Sequence, residues 1–347
     1  MLLSRLGYSS LFREAFEKLA NPALIPARVV RIEAETLTLL GEGGELTARV
    51  AGAVRDGGLR PVTGDWVAVD AALGVVNHVL SRKSELVRQA AGNRTAKQVV
   101  AANVDRVLVL MGLDGDFNPR RVERYLTLAY DSGATPVVLL TKAGLVDDAE
   151  ERVAEIETIT FGVPVHAIDV VSGIGAELPR RYLEAGTTAV LVGSSGVGKS
   201  TLLNHLIGSE RVRTAPVREH DDRGRHTTTR RELWLVPPDA GAIIDTPGMR
   251  ELKLWAAPES LDAAFPEIQE LAACCRFRDC EHAREPGCAV RGAVEKGLLP
   301  AERLESFRRL GREIAAHSLR RSEHERRAQG RVFSRLVREA LRLKGRT

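Results

Sequence analysis

The chain has 347 residues, 44% of them hydrophobic and 28% charged, and a formal net charge of +4, an ordinary soluble composition with room for two or three domains. Arg5, Arg13 and Glu14 interrupt the first apolar residues, so this stretch cannot be the hydrophobic core of a secretion signal. No stretch approaches the roughly 18 apolar residues that a membrane span needs, and we expect a cytoplasmic protein without membrane contact.

Residues 27–80 alternate apolar and polar positions in short runs that are separated by GEGG, DGG and PVTGD. Such runs are typical of a small antiparallel barrel, and the length fits five strands of the OB type. OB barrels often bind oligonucleotides, yet few exposed aromatics are expected here, Trp66 being the obvious one. A purely structural or protein-docking barrel is therefore the alternative. We delimit the barrel as residues 23–92, after an N-terminal arm of residues 1–22.

From residue 103 the pattern changes to alternating strands and helices. The predicted strands are VDRVLVLMGL, TPVVLLTK, VPVHAIDVV and TTAVLVG, and the predicted helices are NPRRVERYLTLAYDSG, DDAEERVAEIETITFG, AELPRRYLEAG and KSTLLNHLIG. Apolar strands of this length, covered by helices, indicate a parallel sheet buried on both faces. Two further strands, ELWLVP and GAIIDTPG, follow a polar connector rich in Arg and Thr. We delimit this domain as residues 93–256.

GSSGVGKST follows the strand TTAVLV and opens a helix, which is the context that confirms a phosphate-binding loop. Its glycines let successive N–H groups point at the phosphates, and the helix start adds partial positive charge. Lys199 is predicted to bridge the terminal phosphates with a catalytic role, and Ser200 to ligate Mg²⁺. The predicted nucleotide-binding residues of this loop are Gly193, Ser194, Ser195, Gly196, Val197, Gly198, Lys199, Ser200 and Thr201.

AIIDTPG supplies a second candidate group for binding Mg²⁺, after Ser200. Asp245 closes an apolar strand and is predicted to hold Mg²⁺ through a water, and the N–H of Gly248 to bond the terminal phosphate. DxxG in this position is the pattern of GTPases as a class, and a simple turn after a strand is the alternative. Between the two motifs, GRHTTTRREL offers Thr227 or Thr228 to the metal, which makes this segment a candidate switch.

The base-reading motif of GTPases, N/T-K-x-D, normally lies late in the domain. The best match here, TKAG, precedes the phosphate loop. The order therefore indicates a circularly permuted GTPase domain whose last switch joins the following cysteine-rich segment directly, so that nucleotide state could move that segment. The predicted base-site residues are Thr141, Lys142, Ala143 and Gly144.

All four cysteines lie between residues 274 and 288. Three sulfurs and one imidazole suit tetrahedral zinc, although the spacing C-x4-C-x-H-x5-C departs from the commonest finger spacings. Disulfides are the competing explanation, which a cytosolic location disfavours. We expect Cys274 to face the helix core as a small apolar residue. The predicted zinc ligands are Cys275, Cys280, His282 and Cys288.

Residues 318–347 carry ten Lys and Arg against three acidic residues. Their apolar residues partly follow helical spacing, which indicates a basic amphipathic helix. Such a helix is either solvated with a charged face or binds an anionic partner such as nucleic acid or the ribosome. We delimit the last domain, helical and zinc-binding with this basic tail, as residues 257–347.

In order after TKAG, the segments GSSGVGKST, GRHTTTRREL, DTPGMREL and CRFRDCEHAREPGCAV resemble the ribosome small subunit-dependent GTPase A family, RsgA. RPVTGDWV and AANVDRVLVL extend the likeness over nearly the whole chain. The resemblance implies a multidomain α/β chain with an N-terminal OB-type barrel, a circularly permuted P-loop GTPase domain with a mainly parallel sheet, and a C-terminal helical domain holding one structural Zn²⁺. It also implies a monomer that binds GTP with Mg²⁺ and the rRNA of the small (30S) ribosomal subunit, and hydrolyses GTP to GDP and phosphate in late maturation of that subunit.

Two positions depart from the family pattern. The base-reading Asp of the family falls on Gly144, and its usual Ser in the next base-contacting loop falls on Asp169. Losing a charge-assisted pair of hydrogen bonds to guanine costs roughly 1.5 to 3 kcal/mol. Lys142 can still stack along the base, and Asp147 or Asp148 could bend in to replace the missing group. An rRNA-binding assembly factor with a degraded or base-relaxed nucleotide site is therefore the alternative function.

The residue after DTPG is Met249, where many GTPases place a water-orienting Gln. An apolar side chain cannot orient water, so we expect slow intrinsic turnover and acceleration by a partner. His226 in the switch is the candidate for positioning the attacking water, although a histidine there could equally contact the ribosome.

Overall fold

The structure is a computed structural model that describes residues 1–56, 60–89, 97–209, 231–246, 256–316 and 318–319. The chain forms two compact units, Met1–Val87 with Val99–Leu252, and Arg88–Gln98 with Lys253–Thr347. Within the described ranges, no helix combines the length and the apolar character needed to cross a bilayer. The predicted basic helix of the tail lies almost wholly outside these ranges.

Five strands close a barrel near the N-terminus, as predicted. They are β1 (Leu24–Glu33), β2 (Thr36–Gly41), β3 (Gly44–Val50), β4 (Trp66–Asp70) and β5 (Val75–Val79), with α3 (Gly52–Asp56) after β3. β1 pairs antiparallel with β2 and with β4, and a parallel pairing of β3 with β5 completes the ring. The barrel core consists of Ala27, Val29, Leu37, Leu39, Ala48, Val67, Val69 and Val76.

Trp66 is fully buried, which corrects the expectation of an exposed aromatic on the barrel. The arm before the barrel holds two short helices, α1 (Leu2–Arg5) and α2 (Ser10–Glu17). The ring centroids of Tyr8 and Phe12 lie 4.8 Å and 5.8 Å from that of Trp66. The indole packs against the arm, so it offers no face on which a base could stack.

The α/β part has a parallel sheet in the order β10-β9-β8-β11-β13, with β12 antiparallel to β13. Its strands are β8 (Arg106–Gly112), β9 (Thr135–Thr141), β10 (Val165–Ala167), β11 (Thr188–Gly193), β12 (Glu232–Leu235) and β13 (Ala242–Asp245). The helices of this part are α4 (Pro119–Ser132), α5 (Ala149–Thr160) and α6 (Lys199–Ile207). The sequence also predicts a helix at AELPRRYLEAG, but the structure has only a short 3₁₀ helix, Leu178–Tyr182, between two glycines with positive φ, Gly175 and Gly186.

β1 joins the barrel to the α/β sheet through β12. Arg31 lies opposite Glu232 in an antiparallel pairing, and the Nη1 atom of Arg31 is 2.9 Å from Oε1 of Glu232. The barrel and the parallel strands therefore belong to one continuous sheet. A separate two-stranded sheet, β6 (Glu85–Gln89) with β7 (Lys97–Ala102), was not predicted from the sequence.

Arg28 on β1 is a buried cation that bonds to four other segments. Its guanidinium donates to the carbonyls of Gly64 at 3.2 Å and Asn103 at 3.0 Å, and to the hydroxyl of Thr188 at 2.7 Å. It also donates to the carbonyl of Leu6 in the arm. One side chain thereby holds together the arm, the barrel, the residue after β7 and the first residue of β11.

Burial lowers the pKa of Arg28 to about 10, against the opposite effect of Asp105 and Asp65. This value is still well above neutral pH, so the guanidinium stays charged. Its carbon Cζ lies 5.5 Å from the ring centroid of Trp66. The charge is therefore compensated by carbonyl dipoles, nearby carboxylates and an aromatic face.

The second unit, called the C-terminal unit below, contains Arg88–Gln98 and the helices α7 (Pro258–Ala264), α8 (Pro266–Ala272), α9 (Ala289–Glu295) and one over residues 301–316. The sequence predicts helical structure through LDAAFPEIQELAACC, but Pro266 divides it, because proline disfavours a helical conformation of the preceding residue. Arg303 is buried, with its Cζ atom 3.9 Å from the Phe265 ring centroid and its Nε atom 2.7 Å from Oε1 of Glu267.

Replacing Arg28 by methionine should lower the free energy of unfolding of the first unit by about 3 to 5 kcal/mol, because four buried acceptors lose their donor. Urea unfolding followed by tryptophan fluorescence measures the change, since Trp66 contacts Arg28. The matched control is Arg49→Met, whose side chain is exposed and which should change stability by less than about 0.5 kcal/mol. Equal effects of the two substitutions would contradict the role of Arg28.

Candidate functional site

The carboxyl ends of β8, β9, β11 and β13 open onto one edge of the parallel sheet. Loops that leave this edge are where open α/β sheets bind their ligands. The strands end at Gly112, Thr141, Gly193 and Asp245. The predicted base segment, phosphate loop and metal-side aspartate therefore meet at one place, although their order in the chain is permuted.

The phosphate loop has the backbone that its glycines predict. Gly193, Gly196 and Gly198 have φ angles of 153°, 76° and 103°. A Cβ atom on Gly193 would lie 2.6 Å from the carbonyl oxygen of Leu110, so no other residue fits there without a shift of the backbone. Ser195 and Gly196 are exposed at the tip, whereas Val197 is buried in the sheet core.

Lys199 and Ser200 stand at the start of α6, directly behind the loop, and Thr201 follows them. The ammonium of Lys199 donates to the carbonyl of Gly193 at 2.9 Å and to that of Ser194 at 2.5 Å, so the side chain folds back over the loop. The hydroxyl of Thr141 donates to the carbonyl of Val197 at 2.7 Å, which ties the base segment to the phosphate loop. A cation, a helix start and turned backbone N–H groups together suit an anionic ligand.

Two acidic residues that the sequence did not single out support this site. Asp116 accepts a hydrogen bond from the hydroxyl of Ser194 and pairs with Arg121. An Oδ2 atom of Asp114 lies 2.5 Å from Nζ of Lys142. Although burial raises the pKa of Asp114, the hydrogen bond from Lys142 and backbone N–H groups outweigh it and lower that pKa. Asp114 and Asp116 come just after the buried strand β8, and this position in the sequence could have indicated a role in the site.

Asp245 is buried at the end of β13. Burial raises the pKa of its carboxyl group, and the charge of Lys199 acts in the opposite direction. The hydroxyl of Thr246 donates to the carbonyl of Leu191 at 2.7 Å and fixes the turn that follows. A buried carboxylate under the influence of Lys199, the residue before Ser200, fits a divalent cation by donor chemistry, since Mg²⁺ prefers carboxylate and hydroxyl oxygens. The other predicted switch and phosphate residues, His226, Thr227, Thr228, Gly248 and Met249, lie outside the described residues.

The base segment continues from β9 into a short 3₁₀ helix, Ala143–Leu145. Lys142 adopts a left-handed conformation with φ of 63°, and the N–H of Ala143 donates to the carbonyl of Ile168 at 3.2 Å. The N–H of Gly144 donates to Oδ2 of Asp169 at 3.1 Å. The two positions that depart from the family pattern are thus in direct contact. Of the neighbouring acids, Asp147 is exposed and Asp148 pairs with Arg152 at 2.9 Å.

The four predicted zinc ligands lie together in the C-terminal unit, their ligand atoms all within 4.8 Å of one another. Nδ1 of His282 is 3.7 Å from Sγ of Cys275 and 3.5 Å from Sγ of Cys288, and the two sulfurs are 3.9 Å apart. Tetrahedral zinc with Zn–S of about 2.3 Å and Zn–N of about 2.0 Å separates its ligands by roughly 3.5 to 3.8 Å. Cys280 completes a set that fits this ion, and all four cysteines of the chain are free of disulfides.

Glu285 organises the loop between Cys280 and Cys288, which the sequence did not predict. Its carboxylate accepts from the N–H groups of Glu281, Ala283 and Arg284 at 3.2, 2.8 and 2.9 Å. Hydrogen bonds from backbone N–H groups, beginning with that of its own residue, hold the pKa of Glu285 at about 2.

Sγ of Cys288 caps α9 by accepting from the N–H of Arg291 at 3.4 Å. Cys274 is exposed, so the expectation that it faces the helix core is wrong. It follows the end of α8 and lies outside the ligand cluster.

The profile of the RsgA GTPase family matches residues 79–255, just over half of the chain. The chain belongs to the RsgA GTPase family. Its relatives include proteins named small ribosomal subunit biogenesis GTPase RsgA, from Syntrophotalea carbinolica at 43% identity over 92% of this chain and 91% of the relative, and from Opitutus terrae at 44% identity over 91% and 90%.

Two solved structures share the fold of this RsgA-family chain. YjeQ from Thermotoga maritima is 28% identical, with a TM-score of 0.65 over 84% of this chain and 99% of that one. YloQ, described as a circularly permuted GTPase, is 23% identical, with a TM-score of 0.61 over 84% and 96%. The predicted fold class, with its barrel, permuted GTPase domain and Cys₃His segment, is confirmed, and so is the class of GTP-hydrolysing enzyme.

Replacing Cys280 by serine should remove zinc from the protein, because the remaining three ligands cannot close a structural site. Metal analysis of the purified chain should find about one zinc per chain before the change and far less after it, with a lower melting temperature of the C-terminal unit. Cys274→Ser is the matched control and should retain both the zinc and the melting temperature. Loss of zinc in the control as well, or an unchanged zinc content in Cys280→Ser, would contradict the ligand assignment.

Asp245→Asn should leave the ligand-free protein at pH 7 as stable as the parent or more stable. Since burial raises the folded pKa, the stabilisation from protonated Asp245 is present below the unfolded pKa and is lost as pH rises through the folded pKa. The neutral amide avoids that loss of stability. Mg²⁺-dependent GTP binding should weaken roughly 10- to 100-fold, because the metal-side carboxylate is lost. Thermal melts and titrations with and without Mg²⁺ measure both effects. The exposed Asp239→Asn is the control, and unchanged Mg²⁺ dependence in Asp245→Asn would refute the metal-side role.

Proposed function

We propose that this protein is a Mg²⁺-dependent GTPase that acts in late maturation of the small ribosomal subunit and binds its rRNA. The relatives' name, small ribosomal subunit biogenesis GTPase, supports this partner. The observation that carries the proposal is the meeting of the phosphate loop, Asp245 and Lys142 at one edge of the parallel sheet.

We also propose a cytoplasmic location and the four-part division into residues 1–22, 23–92, 93–256 and 257–347.

The phosphates of GTP bind over the turned backbone of residues 193–198 and the start of α6. Lys199 leaves its two loop carbonyls to neutralise charge on the terminal phosphates, which develops as the bond to the leaving group breaks. Ser200 and Asp245 would hold Mg²⁺, and the ion would supply further charge neutralisation at the phosphates. Thr227 or Thr228 and the N–H of Gly248 complete the shell around the terminal phosphate.

Intrinsic hydrolysis is slow in this proposal, because Met249 cannot orient the attacking water. His226 positions that water when the partner is bound. Groups supplied or ordered by a partner accelerate related phosphoryl transfer by about 10³- to 10⁵-fold. The small subunit therefore controls the rate, and hydrolysis releases the factor from it.

The zinc segment offers a surface for rRNA. Between the ligands Cys275 and Cys280, the loop exposes Arg276, Phe277 and Arg278. Cζ of Arg276 lies 5.5 Å from the centroid of the Phe277 ring. Arginines beside an accessible aromatic ring suit phosphate contacts and base stacking. Zinc fixes both ends of this loop, so ion binding and RNA binding are coupled here.

A base-relaxed nucleotide site is the second candidate function, and Gly144 is the observation that favours it. The family's carboxylate is absent from that position, so guanine preference rests on other groups. Comparing GTP, ATP and XTP separates this alternative from a GTP-specific enzyme. Hydrolysis of GTP alone would contradict it.

GTP hydrolysis by the full chain should be slow alone and rise by about 10³-fold or more when small ribosomal subunits are added. Lys199→Ala should lose this stimulated activity, because the terminal phosphates lose their cation. Phosphate release measures the rate, with the exposed Lys18→Ala as the matched control and large subunits as the control partner. Equal stimulation by both subunits, or full activity of Lys199→Ala, would overturn the proposal.

A further inference from the structure

The base segment lacks a side chain where the family carries its guanine-reading carboxylate, but a carboxylate is present at that place. Gly144 is exposed, and its N–H donates to Oδ2 of Asp169 at 3.1 Å. A Cβ atom on residue 144 would lie 2.7 Å from the same oxygen. Oδ2 of Asp169 therefore lies too close to that position for a Cβ atom to fit without a shift.

The orientation of this carboxylate is fixed by the loop after β10. Its Oδ1 atom accepts from the N–H groups of Val171 at 2.9 Å and Ser172 at 3.3 Å. The N–H of Asp169 donates to the carbonyl of Ile174 at 2.6 Å, which closes the loop behind it. An ionised carboxylate has about four acceptor positions, of which backbone groups among the described residues occupy three. The remaining one is on Oδ2, the atom that faces Gly144.

We propose that Asp169 takes over guanine recognition from residue 144, its Oδ2 atom accepting a hydrogen bond from the N–H edge of the base. This inference rests on the proposed function, in which the site binds GTP. Guanine carries donors at N1 and at its exocyclic N2, whereas adenine has an unprotonated N1 and only a C2–H on that edge. Asp169 thus favours guanine over adenine, and Lys142 beside it lies along the base.

The missing side chain at residue 144 is part of this arrangement. The oxygens of an aspartate at 144 would lie roughly 2.4 Å beyond its Cβ atom by standard bond lengths. Oδ2 of Asp169 lies 2.7 Å from that Cβ position, about the distance at which those oxygens would lie, so a Cβ atom on residue 144 would crowd the carboxylate that replaces them. Because one acceptor position is open, one hydrogen bond replaces the usual two. Guanine preference is therefore present but reduced.

The guanine-reading carboxylate can therefore stand at residue 144 or at residue 169, but not at both. Gly144→Asp alone would bring its Cβ atom to 2.7 Å from Oδ2 of Asp169 and crowd two like charges together. Moving the carboxylate, with Gly144→Asp and Asp169→Ser in the same chain, removes both conflicts. The single and the double substitution are thus expected to have opposite effects on GDP binding.

The test is equilibrium binding of GDP, ADP and XDP to the full chain in Mg²⁺. The parent should prefer GDP over ADP. In Asp169→Asn, GDP affinity should fall roughly 10- to 100-fold and ADP affinity should stay within about twofold, because a charge-assisted hydrogen bond to guanine alone is lost. XDP affinity should rise, since xanthine has a carbonyl oxygen in place of the amino group and the asparagine amide can donate to it. Glu151→Gln, which removes the charge of an exposed acid on α5, is the matched control and should bind all three as the parent does.

A structural role of Asp169 predicts a different result, a parallel loss of GDP, ADP and XDP binding, and that outcome overturns the inference. The double variant Gly144→Asp/Asp169→Ser should bind GDP at least as tightly as the parent, and Gly144→Asp alone more weakly. A double variant that binds GDP no better than Gly144→Asp also overturns it. If the parent binds GDP and ADP equally while hydrolysis is intact, the inference fails and the proposed hydrolysis stands. If the parent binds none of the three, the proposed function fails first.

Discussion

The nucleotide site depends on the parallel alignment of β8, β9, β11 and β13. Parallel strands place all their carboxyl ends on one edge of a sheet, whatever order the chain visits them in. The acidic loop after β8, Lys142 after β9, the phosphate loop after β11 and Asp245 at the end of β13 therefore converge. Circular permutation changes the order in which the chain connects these strands. The edge at which their carboxyl ends meet stays the same.

The barrel is not an appended module, because the same sheet runs from it into the GTPase part through β1 and β12. Arg28 adds a second connection, since its bond to Thr188 reaches the start of the strand whose other end is Gly193. A buried guanidinium that makes four hydrogen bonds holds several segments in one arrangement, and removing it leaves those acceptors unpaired. The C-terminal unit has a different feature, a cluster of three cysteines and one histidine whose ligand atoms fit zinc.

Periodicity predicted the barrel strands and the alternation of strands and helices, because burial of one or both faces repeats along the chain at fixed spacing. It failed where a single contact or residue decides the outcome. Trp66 is covered by the arm, which no local pattern indicates. Pro266 divides a helix that the apolar spacing continues, and the segment predicted as a helix around Pro179 forms only the 3₁₀ helix Leu178–Tyr182. Cys274 has helical neighbours but faces solvent.

The sequence by itself determined the phosphate loop, the permuted order of the motifs and the cluster of three cysteines and one histidine that fits zinc, because the chemistry of each resides in residue types at short, fixed spacing. Only the tertiary structure decided which groups meet between segments. Asp169 lies 25 positions from Gly144 and accepts a hydrogen bond from its N–H, and Asp116 bonds Ser194 across 78 positions. Such pairs depend on strand register and loop closure, which bring distant residues together. No local pattern in the sequence indicates these contacts.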